Sequence, residues 1–89
     1  MPELSRFYGL IIRMFAETGE RHHQPHFHVV SGTGEAVFAI EDLVVLAGTL
    51  PARERRLVEA WGELHRVELL DNWARLQAGG RVASIEPLR

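Results

Sequence analysis

The sequence predicts an α+β protein, an antiparallel meander of three or four strands packed on a long or broken C-terminal helix, with a short final strand. Three observations lead there. Residues 1–50 set short β-branched and aromatic runs between Gly-bearing turns. Residues 51–78 are helix-forming, with Pro51 at the start and Gly79-Gly80 at the stop. A chain of 89 residues with 46% hydrophobic composition suits one small core, so residues 1–89 are read as a single domain.

Residues 7–15 are too short and too β-branched for a helix and read as the first strand. Tyr8, Leu10, Ile12 and Met14 form its apolar face, and Gly9 and Arg13 fall on the wetter side. Thr18-Gly19-Glu20 marks a polar loop. The second strand fits residues 26–31, with Phe27 and Val29 inward and His26 and His28 on the opposite face. A hairpin turn at Gly32-Thr33-Gly34 leads to a third strand over 35–40, where Ala36, Phe38 and Ile40 point inward and Glu35, Val37 and Ala39 outward. Residues 44–47 add a short fourth strand before Gly48.

In the helical segment Leu57, Trp61 and Leu64 share one stripe at 100° per residue. Leu69, Trp73 and Leu76 share another, rotated by roughly a quarter turn. The drift predicts either a break near Arg66-Val67 or one helix that changes partners along its length. Arg55/Glu59 and Glu63/Arg66 sit at helical spacing on a solvated face. Residues 82–85 read as the terminal strand. One helical layer covers one face of the sheet, leaving His26, His28, Val30, Val37 and Arg13 on a face that invites a partner.

Charge and composition exclude several classes. The formal charge is −2, with three Arg against six acids in residues 1–50 and seven Arg against six acids in 51–89. Nucleic acid is therefore a partner that net charge does not support. With no cysteine, disulfides, thiolate zinc sites and a Cys nucleophile are ruled out. No apolar run approaches membrane length and no secretory leader opens the chain, so a cytoplasmic, non-membrane protein is expected. Phosphate-binding glycine loops, His-Glu-x-x-His and nucleophile elbows are missing.

The densest chemistry is Arg21-His22-His23-Gln24-Pro25-His26-Phe27-His28, which holds four of the five histidines. Imidazole changes charge near neutral pH and is the commonest metal ligand. On a strand, His26 and His28 share a face, with Cβ atoms roughly 6–7 Å apart. That spacing suits a divalent cation (zinc, nickel or copper) held by His26 and His28 with His22 or His23 from the loop. It equally suits a general base for RNA cleavage at His26 or His28, with Arg13 or Arg21 stabilising phosphorane charge. The plain alternative is a surface strand whose histidines pair with neighbouring acids or backbone. His65 shares a helical stripe with Trp61, Glu68 and Asn72, either as a ligand pair with Glu68 or as a satisfied structural histidine. Of Trp61 and Trp73, one is expected to anchor the core and the other to serve a protein interface.

Gln24-Pro25-His26-Phe27-His28-Val29, the opening Pro2-Glu3-Leu4-Ser5-Arg6-Phe7-Tyr8-Gly9, Trp61-Gly62-Glu63-Leu64-His65, Asn72-Trp73 and Ile85-Glu86-Pro87-Leu88 together resemble a small bacterial family, domain of unknown function 4160. The family's usual motif has two prolines before the first histidine, and Gln24 replaces one of them here. The resemblance implies a chain encoded beside a second small protein, in an arrangement similar to toxin–antitoxin pairs. It brings no established catalytic residues. The expected function is a small interaction module of a toxin–antitoxin-like or regulatory pair, binding a cognate small protein or a second copy through the sheet face and part of the helix, where Trp61, His65, Glu68, Asn72 and Trp73 are the candidate binding residues. The alternative is a His-dependent ribonuclease or metal-assisted hydrolase built on the His22–His28 cluster.

Overall fold

A computed structural model describes residues 3–16 and 24–89. Five strands, β1 (Glu3–Phe7), β2 (Leu10–Arg13), β3 (His26–Ser31), β4 (Gly34–Ala39) and β5 (Val45–Gly48), form one antiparallel sheet in sequence order. Two helices follow, α1 (Ala52–Leu64) and α2 (Arg66–Gln77). The α+β class is as expected, with one strand more than the upper expectation.

The additional strand comes from the opening segment. Residues 7–15 do not form one strand, because Tyr8 (φ 49°) and Gly9 (φ 79°) both adopt left-handed backbone and reverse the chain. Two consecutive positive φ angles are what a two-residue hairpin needs to match the twist of its strands. Leu10, Ile12 and Met14 are buried as expected, but Tyr8 sits on the turn and is 56% exposed. A register shift between Glu3 and Ser5 accommodates an additional residue in β1, and Leu4 and Ser5 are both buried there.

β3 and β4 pair in full register from His26↔Ala39 to Ser31↔Gly34, so the alternation read from the sequence places Phe27, Val29, Ala36 and Phe38 in the core. The Phe27 and Phe38 rings are stacked at 5.6 Å. Ala39, expected outward, is buried where the Ile40 amide bonds the Pro25 carbonyl (3.0 Å) beside the β3 terminus. β5 joins β4 through Ala36↔Gly48 and Phe38↔Val45. Gly48 (φ +74°) cannot be replaced cheaply, since a Cβ there would strike the Glu35 carbonyl oxygen.

The helical segment breaks at His65 (φ −119°, ψ 24°), one residue before the expected point. The phase of the buried stripe nonetheless carries through the break. Val58, Trp61, Leu69 and Asn72 are buried at positions i, i+3, i+11 and i+14, whereas Leu64 is 71% exposed. The two rotated stripes expected from sequence are thus one continuous stripe, with Val58 in place of Leu64. Trp61 is the hub, with its ring 5.5 Å from Phe7 and 5.9 Å from Phe27. Arg55–Glu59 (3.8 Å) and Arg66–Glu63 (2.9 Å) lie on the outer side as expected.

The expected final strand over 82–85 does not form. Residues 80–89 have no regular structure, yet the tail is held firmly by side chains. The Asn72 carboxamide donates to the Ala83 carbonyl (3.0 Å) and accepts from the Ala83 amide (2.7 Å). Trp61 Nε1 donates to the Glu86 carbonyl (2.8 Å), and the Ile85 amide donates to the Leu4 carbonyl of β1 (2.8 Å). With the Ile85 side chain buried in the core, the tail needs no ladder to stay ordered.

Candidate functional site

The sheet face opposite the core is laid out by strand register. Glu3, Arg13, His28, Val37 and Ala47 are successive cross-strand partners and form one row across all five strands. Arg6, Ile11, Val30 and Glu35 form a second row beside it. Ile11, Arg13, Phe15, His28, Val30, Val37 and Ala47 are all half-buried, so the face is apolar at its centre and charged at its edge. The Glu3 carboxyl is held below the ordinary carboxylate range, first by its hydrogen bond to Arg6 and then by the charges of Arg6 and Arg13.

Rings gather at one end of this face. Phe15 stacks on His28 with centroids 4.6 Å apart and planes at 21°, His28 lies 5.4 Å from His26, and His26 lies 5.0 Å from Trp73. Phe15 is the member that sequence reasoning passed over; its position two residues after Arg13 was the available signal.

His26 and His28 stand side by side as expected, but they are not both turned outward. His28 is half-buried, and His26 is only 1% exposed because the Trp73 ring of α2 lies against it at the end of the sheet. A helix therefore does reach this face, at the β3 terminus. His26 Nδ1 lies 2.9 Å from the Gln24 carbonyl. A carbonyl accepts only, so Nδ1 carries the proton and donates it to this bond. A ring held through one nitrogen by a backbone carbonyl is also common among metal-ligating histidines. Two imidazoles on one tetrahedral cation would have centroids roughly 5 Å apart, given zinc–nitrogen bonds of about 2 Å, so the spacing of this pair is compatible. Among the described residues, however, no group of three or more His, Asp or Glu converges to hold a metal ion. The other expected ligands, His22 and His23, lie outside the described residues, as do Arg21 and the loop read at Thr18-Gly19-Glu20.

Of the helical candidates, all but Trp73 sit elsewhere. Trp61 and Asn72 are buried and bonded to the tail backbone. His65 packs on Trp61 (5.5 Å), and its Nδ1 donates to the Glu68 carboxylate (2.5 Å), tying the break between the helices across the first turn of α2. Trp73 is half-buried and joins the histidines rather than an exposed surface. A small cleft of about 170 Å³ between α2 and the tail is lined by Glu68, Asp71, Asn72, Arg75, Ser84 and Ile85, and includes none of the histidines.

A family model described as domain of unknown function (DUF4160) matches residues 9–74, which cover β2 through most of α2. The chain belongs to the DUF4160 family. The matched span takes in the whole Arg13–His28–Val37–Ala47 row, the ring cluster and Asn72 of the tail clasp. No curated protein and no solved structure matches this DUF4160 chain. None of the described helices is long and apolar enough to cross a membrane.

Proposed function

We propose that this DUF4160 protein is a cytoplasmic interaction module of a toxin–antitoxin-like or regulatory pair, docking a cognate small protein on its sheet face. The observation carrying this reading is the half-buried row Arg13–His28–Val37–Ala47, flanked by Ile11, Phe15 and Val30. A surface with an apolar centre, an aromatic ring and an arginine has the composition of a binding patch. The burial of His26 favours the same reading, since a general base must reach the proton it removes and this ring is enclosed.

The direct test is titration calorimetry against the protein encoded by the neighbouring gene. Val37→Asp and Arg13→Glu are each expected to weaken binding by at least about tenfold, or ~1.4 kcal/mol, with the circular dichroism spectrum unchanged. Binding unaffected by both substitutions would remove the sheet face from the interaction.

One observation favours a second reading. Arg13 and His28 are direct cross-strand partners on one face, the residue types a ribonuclease or hydrolase would require near each other. Under that reading, with a divalent metal held by His26 and His28 or without one, His28→Ala abolishes RNA cleavage or growth inhibition while leaving partner affinity intact. Activity retained in that variant excludes it.

A further inference from the structure

The two edges of the sheet are finished differently. β1 carries Glu3 and Arg6 paired with each other (2.8 Å), and its Leu4 carbonyl is taken by the Ile85 amide of the tail. Charge and a covering segment are the usual devices that stop an edge strand from recruiting another. At the other edge, Val44-Val45-Leu46-Ala47-Gly48 contains no charge and no proline; a bulge between its pairings with Phe38 and Val37 is its guarding irregularity, and among the described residues no strand pairs with its outer side. Val44 is 53% exposed and Val45, Leu46 and Ala47 are half-buried. The Ala39 amide donates to the Val44 carbonyl (2.9 Å), and Val45 is the next residue, opposite Phe38. The alternation of an antiparallel ladder therefore turns the amide and carbonyl of Val45 away from β4.

We propose that two copies of this chain associate through β5, antiparallel across a two-fold axis, merging two five-stranded sheets into one. The edge is its own complement. Apposed on itself, it meets the same uncharged residues with no like charges opposed, whereas two β1 edges would bring together their Glu3–Arg6 pairs and both tails. The axis relating antiparallel neighbours is perpendicular to the sheet, so both Arg13–His28 rows fall on the same side and the open face doubles in width. A four-residue edge buries less than the ~800 Å² per partner of a stable interface, so this association is weak and depends on protein concentration. It stands independently of whether a cognate protein docks on the face.

Sedimentation equilibrium of the full chain from about 20 μM to about 1 mM, a range suited to weak interfaces, tests this. The weight-average mass is expected to rise from 10.1 kDa toward twice that value. In parallel, the Val45 amide gains protection from hydrogen exchange as concentration rises. Val44→Lys, at an exposed position that leaves the fold intact, and Leu46→Lys each weaken association by at least about tenfold. Leu64→Glu, on the outer side of α1, leaves it unchanged. A monomer mass at the highest concentration overturns the proposal. So does association that survives both lysine substitutions, or association that Leu64→Glu abolishes.

Discussion

Two residues of β1 show how differently burial and exposure weigh on a polar group. Ser5 is buried, and among the described residues its hydroxyl is the one buried side-chain oxygen with no hydrogen-bond partner. Such an orphan costs about 1–3 kcal/mol of lost hydration. Ser5→Ala is accordingly expected to stabilise the protein by about 1 kcal/mol, read as a higher urea midpoint with unchanged slope. Glu3, two residues away, is exposed and hydrogen-bonded to Arg6. Its folded-state acidity is enhanced, so the pair contributes above the ordinary carboxylate range and the contribution fades as pH falls through the lowered value. Water screens a surface pair of this kind, so the signature is a titration midpoint rather than a change in melting. Carboxyl NMR of the Arg6→Ala variant is expected to show Glu3 titrating at higher pH than in the parent.

At the level of elements, the tail is held by side chains that read its backbone. Asn72 satisfies both polar groups of Ala83 from a position only 2% exposed. Asn72→Ala leaves two backbone groups without their partner and removes packing, an expected loss of about 2–4 kcal/mol in chemical denaturation. Hydrogen exchange across residues 81–89 accelerates in that variant more than exchange in β3 or β4, because the sheet keeps its own ladder. Asn72-Trp73 combines two jobs on adjacent positions of α2, one side chain fastening the tail and the other covering His26. This is why the helix meets both ends of the chain's logic at once, and why a change at either position reaches beyond its own element.

Across the whole molecule, what could be read from sequence followed from local periodicity, and what could not depended on partners far along the chain. β3 and β4 were legible because Phe27, Val29, Ala36 and Phe38 alternate cleanly around a Gly-rich turn. The β1–β2 hairpin was not, because its turn uses Tyr8, a strand-forming side chain, in left-handed backbone where Asn or Gly is the usual signal. The helical break is legible to within one residue, yet the identity of the buried stripe is not, since Leu64 and Val58 are both apolar and packing alone chooses between them. The adjacency of His26 and His28 came from strand geometry, whereas the enclosure of His26 required Trp73 to arrive from α2. Residues 82–85 read as a strand, yet the tail is held by an amide side chain and an indole, partners that leave no trace in local periodicity.

The anchoring of Ile85 on Leu4 also sets this stretch of the tail beside β1, four inter-strand steps from β5, or roughly 19 Å. A fluorophore or affinity label attached at Ser84, exposed next to that anchor, thus stands at the guarded border of the sheet. Labelled protein can report on events at the opposite border without standing in their way, whereas an insertion in the segment joining β4 to β5 would obstruct them.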